Sequence, residues 1–291
     1  MKRNDSSARS RELGVELRKR REAARWRAND LAYQLGWSAT KVSRMESGER
    51  GVSEVDAAIY LTFCGVLREE LDDLLNLARE GSDETWLQEH GERLTDELRT
   101  LIFHETAAVT IAWYEPMLVP GQLQTEDYAR ALFEFARIVP EDRIDHAVRA
   151  RMERQALLRR REPPEFQFLV HENGLRAPVG NAQIMHEQLL HLVFLNSRPQ
   201  CEIRVIPAAS GPHGAWFGPF MLMRYQGHGP VVYVEGLTTS VFLETRQHID
   251  AYQNVLSRLD RAALDVARSR DLLARLASEY DRSEEEPDEH A

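Results

Sequence analysis

Between Ser38 and Gly48 the chain reads SATKVSRMESG, with Val42 and Met45 its only aliphatic-type side chains and the rest small, hydroxylated or charged. Wound as an α-helix at ~100° per residue, the stretch sends Val42 and Met45 one way and gathers Thr40, Ser43, Arg44 and Ser47 on the opposite side. Small side chains let a helix approach a surface closely. Threonine bonds to base edges or touches a thymine methyl, and a guanidinium makes paired bonds to guanine O6 and N7. That is the chemistry of a helix entering the major groove of duplex DNA. Ser38 offers the N-cap oxygen and Gly48 the stop. Residues 29–35 form a short helix before it, broken by Gly36, so the pair makes a helix-turn-helix.

Other residues of chemical interest are weaker. HEQLLH (186–191) sets His186 and His191 five apart, about 140° around a helix, so one metal ion does not sit between them. SGPHGAWFGPF (210–220) precedes a strand and does not open a helix, whereas a phosphate cradle needs helix-terminal N–H groups. It is a connecting loop, or else a lid in which Trp216 and Phe217 touch a ligand or partner. There is no GxSxG elbow and no supported Cys/His pair. The expectation is a protein that is not an enzyme and uses no cofactor or metal. Cys64 and Cys201 lie far apart in apolar segments, as buried thiols of a reduced compartment do. Arg149, Arg151, Arg154, Arg159, Arg160 and Arg161 form a basic cluster on a helix expected over 140–161. It reads as a solvated face, or as a surface for an acidic partner with Arg154 and Arg160 as contacts.

These residues need elements to position them. Residues 1–9 are expected to be disordered. Residues 10–80 carry five short helices, near 10–24, 29–35, 38–48, 53–64 and 68–79, enough for an all-α domain. Residues 81–104 read as a connecting helix. From 105 to 280 β-branched and aromatic runs (107–115, 165–172, 201–207, 219–225 and 230–236) alternate with helical segments near 125–137, 140–161, 181–196, 244–257 and 260–279. The fold class is therefore multi-domain: an all-α head followed by a mixed α/β (α+β) domain. Residues 281–291 form an acidic tail expected to be disordered.

Charge separates the two parts. Residues 1–50 hold 13 Lys+Arg against 7 Asp+Glu, while the whole chain of 291 residues has a formal charge of −10. A basic head on an acidic body points the head, and not the body, at a polyanion. No apolar run approaches the ~18 residues of a membrane span and the basic N-terminus lacks a signal peptide's apolar stretch, so the expected place is the cytoplasm.

Residues 17–50, LRKRREAARWRANDLAYQLGWSATKVSRMESGER, resemble the Xre-type helix-turn-helix of phage repressors and many bacterial regulators, matching at Leu31, Ala32, Gly36, Ser38, Val42, Glu46 and Gly48. The resemblance implies a five-helix, lambda-repressor-like fold. It assigns base reading to Ala39, Thr40, Ser43 and Arg44, phosphate contact to Arg27, Lys41 and Arg50, and a structural ion pair to Arg21 and Glu46. A carboxylate facing DNA would be repelled by phosphate, which also favours the structural role for Glu46. Arg27-Ala28 stands where the family has Ser or Thr followed by Gln, so the usual N-cap of the second helix is missing and Asn29 or water is left to replace it. YEPMLVPGQLQTEDYARAL (114–132), HENGLRAPVG (171–180), EIRVIP (202–207), VVYVE (231–235) and SRDLL (269–273) resemble a domain of unknown biochemical function. That domain follows such heads in actinobacterial regulators, including WhiJ-like and antitoxin-like proteins. Taken together, the expectation is a sequence-specific transcriptional regulator that binds double-stranded DNA as a homodimer. The alternative is an antitoxin-like protein that sequesters a small acidic partner and autoregulates its operon.

Overall fold

The computed structural model describes residues 8–49, 52–66, 70, 74–75, 85–89, 94–137, 139–160, 162–211, 218–236 and 239–285. The chain divides into two units, Met1–Gln88 with Val241–Arg246, and Glu89–Ser240 with Gln247–Ala291.

The first unit contains helices α1 (Ala8–Ala23), α2 (Ala28–Gln34), α3 (Ala39–Ser47) and α4 (Glu54–Phe63). The helix thus begins before the expected end of disorder at residue 9, and residues 1–7 lie outside the described residues. Leu13 and Leu17 of α1, Leu31 of α2, Val42 and Met45 of α3, and Ala57, Tyr60 and Leu61 of α4 meet in one core. Each fully buried Leu or Val there is worth about 1.5–3 kcal/mol. The expected fifth helix over 68–79 falls mostly outside the described residues, although Leu74 and Leu75 join the same core.

Two glycines fix how α1 meets the end of α3. Gly48 closes α3 at φ +65°, and a Cβ on it would stand 2.6 Å from the Ser10 carbonyl oxygen. A Cβ on Gly14 would stand 2.7 Å from the Glu46 carbonyl oxygen. The two backbones touch directly, which leaves no room for a side chain between them.

Where one connecting helix was expected over 81–104, the chain forms strand β1 (Thr85–Glu89) and then helix α5 (Leu94–Ala107). Thr85 and Trp86 favour strand over helix, and Gly91 disfavours a helix running through.

In the second unit β2 (Thr110–Glu115), β3 (Glu165–His171) and β4 (Cys201–Ile206) are parallel neighbours, with Trp113 opposite Phe168 and Phe168 opposite Ile203. β5 (Phe220–Arg224) runs antiparallel to β2, and β6 (Val231–Glu235) antiparallel to β5. The order is β6-β5-β2-β3-β4. Almost continuous burial along β2, β3 and β5 explains why they read as unbroken apolar runs. A further strand, β7 (Thr239–Leu243), was not expected; its Ser240 and Phe242 are buried between less buried neighbours, a period-2 pattern.

The covering helices are α6 (Glu126–Ala136), α7 (Ile144–Arg154), the short α8 (Glu172–Arg176), α9 (Ala182–Leu195), α10 (Arg246–Ala262) and α11 (Val266–Glu285). α9 and α11 pack on each other, and both reach β4. The helix expected over 140–161 is α-helical only to Arg154 and tightens into a 3-10 turn over Gln155–Arg159. The tail expected to be disordered from 281 is helical through Glu285, since nothing before Pro287 forbids helix and Arg282 donates to the Ser278 carbonyl. Residues 286–291 lie outside the described residues. No helix among them is long and apolar enough to cross a membrane.

Candidate DNA interface

The α2–α3 turn is set by Gly36 at φ +65° and by the Trp37 N–H, which donates to the Ala32 carbonyl at 2.8 Å. α3 then starts at Ser38, whose hydroxyl oxygen accepts from the Lys41 N–H at 3.1 Å. Val42 is fully buried, and Met45 and Glu46 are each 5% exposed. Ala39, Thr40, Ser43, Arg44 and Ser47 are all exposed. The Arg44 side chain has no hydrogen-bond or ion-pair partner among the described residues, so its guanidinium is available. Thr40, Lys41 and Arg44 border a hollow of about 370 Å³ that also touches Ser53 and Asp56 of the α4 start.

Beneath this face lies a buried polar network. Arg21 of α1 donates from Nε to Glu46 Oε1 at 2.7 Å and from Nη2 to Glu46 Oε2 at 2.8 Å. Arg21 Nη1 donates to the Trp26 carbonyl at 2.8 Å, which ties in the approach to α2. The Tyr60 hydroxyl of α4 donates to Glu46 Oε1 at 2.6 Å, and Arg18 Nε donates to Oε2 at 3.2 Å. Burial alone would raise the Glu46 carboxyl, but the bonds from Arg21 and Tyr60 outweigh it and hold the group below the ordinary range. One carboxylate thus locks α1, α3 and α4 together and sets the angle at which α3 is presented.

The cations assigned to phosphate differ in their surroundings. Lys41 Nζ donates to Asp56 Oδ1 at 2.8 Å and lies 4.0 Å from the centre of the Trp37 ring. Arg27 is exposed at the N-cap position of α2 and makes no side-chain cap bond. Arg50 lies outside the described residues, as do Trp216 and Phe217. Arg27→Ser should supply the missing cap, stabilising α2 by about 1 kcal/mol while weakening binding to every DNA sequence. Slower amide exchange along α2 together with a lower DNA affinity would be the expected pair of results.

The arginines of the second unit do not form one open face. Arg149, Arg159 and Arg160 are exposed, but Arg151 turns inward, donating to Gln124 Oε1 at 2.8 Å over the Phe133 ring. Burial, followed by repulsion from Arg154, lowers the Arg151 pKa to about 10. The Arg154 side chain is 8% exposed and bonded twice to Glu105, at 2.7 and 3.0 Å. The inward arginines share a helix face with buried Ala147, Val148 and Gln155, a spacing at which the basic cluster splits. Arg161 lies outside the described residues.

His186 Nδ1 sits 2.9 Å from the Ala277 carbonyl, and among the described residues no group of three His, Cys, Asp or Glu is placed to hold a metal. Cys64 and Cys201 are free thiols pushed up by burial to about 11 and about 12. The sequence reading missed Asp56, Tyr60, Arg18 and Glu105. Asp56 was legible as a first-turn acid after the cap residue Ser53, whereas Tyr60 and Glu105 carry no local signal, since their partners lie 14 and 49 residues away.

Residues 12–74 match the family described as helix-turn-helix domain, and residues 98–275 match the one described as domain of unknown function (DUF5753). No curated protein matches the chain. The first match spans α1 to α4, and its kind of domain supports a DNA-binding regulator. The second covers more than half of the sequence, so the chain belongs to the DUF5753 family and carries a helix-turn-helix domain at its N-terminal end.

Proposed function

We propose that the protein is a sequence-specific transcriptional regulator that inserts α3 into the major groove, with Ala39, Thr40, Ser43 and Arg44 facing base edges and Arg27, Lys41 and Arg50 facing phosphates. The carrying observation is the exposure of that small, polar face on a helix whose other side is anchored by Val42, Met45 and Glu46. One short helix reads three or four base pairs, too few for selectivity. A homodimer is therefore part of the reading, with two recognition helices set ~34 Å apart. The second unit then senses a ligand or partner. Exposed Arg149, Arg159 and Arg160 favour, as the rival reading, capture of a small acidic protein with DNA binding for autoregulation.

Selection from a random DNA pool by the full chain should return a two-fold symmetric site with half-sites ~10 base pairs apart. A pool without enrichment would end the proposal. Asp56 supplies a second test, because a carboxylate beside the phosphate-facing Lys41 both competes for that ammonium and repels DNA. Asp56→Asn should tighten binding to all sequences alike, by a few-fold at low salt, and steepen the salt dependence. Unchanged affinity across salt would remove Lys41 from the interface.

A further inference from the structure

We propose that a cavity between α5 and α7 binds an uncharged, mainly apolar small molecule bearing a carbonyl oxygen, received by Arg154. This deepens the sensing role of the second unit and rests on that reading.

The cavity holds about 610 Å³ and is lined by Ile102 of α5, by Ala150 and Arg154 of α7, and by Leu157 of the 3-10 turn. That volume falls within the ~300–1,000 Å³ of small-molecule sites, which pair apolar walls with a few placed polar groups. Here the buried polar group is the Arg154–Glu105 pair, whose side chains are 8% and 1% exposed, while Thr106, His146, Glu153 and Arg160 line the pocket from exposed positions. Arg154 spends Nε and Nη2 on Glu105, and Gln122 Nε2 adds a third bond to Glu105 Oε2 at 3.1 Å. Arg154 Nη1 has no partner among the described residues, and a guanidinium nitrogen can only donate. Arg154 Nη1 is not sealed from solvent, so a carbonyl oxygen entering the pocket takes the place of water on that donor.

Charge decides what kind of acceptor. Glu105 already neutralises Arg154, and the other two charges of the lining, Arg160 and Glu153, are opposite in sign. A ligand anion would find no net positive field, whereas a neutral carbonyl needs none. The apolar walls then select the body of the molecule.

Nile red, an uncharged apolar dye with a ring carbonyl, is the probe, titrated into the full chain and read by fluorescence. Saturable binding is expected, lost in an Ala150→Phe/Ala156→Trp variant whose added side chains fill the cavity from half-buried and exposed positions. In competition, 4-phenylbutan-2-one should displace the dye at about one tenth the concentration that butylbenzene needs, the ratio expected of one hydrogen bond from a charged donor. Equal displacement by the two would overturn the role of Arg154. Equal dye binding by wild type and filled variant would overturn the cavity. DNA binding is measured on the same samples. A protein that binds its selected DNA but shows no saturable dye signal sinks the pocket alone. One that binds the dye, loses it on filling and ignores DNA keeps the pocket and sinks the regulator.

Discussion

Replacing Glu46 by alanine should destabilise the helical unit by about 3–5 kcal/mol, the cost of leaving a buried charge unpaired. The substitution strands Arg21, whose side chain is 10% exposed, together with the Tyr60 hydroxyl, which is fully buried. Domain stabilities of ~5–15 kcal/mol leave little margin for such a loss. Hydrogen exchange of α1 to α4 amides in the full chain is the appropriate readout, because two units need not melt together. The triple change Arg21→Met, Glu46→Leu and Tyr60→Phe should recover most of the loss, since it removes the buried charges and the orphaned hydroxyl together. Unchanged exchange in Glu46→Ala would show that the network stabilises nothing.

The same carboxylate makes the unit acid-sensitive. Its pKa is lower when folded than when unfolded, so its contribution is fully present above the unfolded value, near 4.5, and is lost as pH falls through the folded one. In Glu46→Gln this group no longer titrates. Stability of α1 to α4 against pH should therefore be flatter in that variant below about pH 4.5 than in wild type. Parallel curves for the two proteins would assign the acid sensitivity to other carboxylates.

Local chemistry made the head of the protein legible. The Ser38 cap, the Gly36 and Gly48 stops and the Val42/Met45 edge all act within one or two helical turns, and each is visible in eleven to thirteen residues of text. The Arg21–Glu46 pair spans 25 residues and was legible only through the resemblance, because spacing alone cannot select one arginine among Arg18, Arg20 and Arg21. Five strands of the sheet announced themselves as β-branched runs, but their order did not, since β5 passes over two neighbours to pair with β2. β1 was hidden by Trp86, Leu87 and Leu94, whose intervals suit a helix as well as a strand entering one. Over 149–161 the text shows six arginines alike; burial against Gln124 and Glu105 separates Arg151 and Arg154 from exposed Arg149, Arg159 and Arg160. The chemistry of that interior comes from residues far apart in the chain, which periodicity does not see.

Arg44→Ala should cost DNA binding about 1–3 kcal/mol per half-site, roughly 5–150-fold, and relax preference at one base pair in each half. Arg44 is the side chain on the exposed face of α3 that is long, charged and without a partner among the described residues, so no bond seen there must be surrendered for it to reach a base. Lys41 differs, since its bond to Asp56 at 2.8 Å must be exchanged for one to phosphate. Lys41→Ala should therefore weaken binding less, equally for all sequences, and lower the salt slope by about one. Thr40 and Ser43 flank Arg44 with short hydroxyls, and Ala39 offers only a methyl, so in the proposed interface the guanidinium carries most of the discrimination that α3 can supply. Anisotropy titrations over a panel of single-base variants of the selected site, at two salt concentrations, separate the two substitutions. A uniform loss in Arg44→Ala with the same base preferences would make Arg44 a phosphate contact and leave Thr40 and Ser43 as the readers.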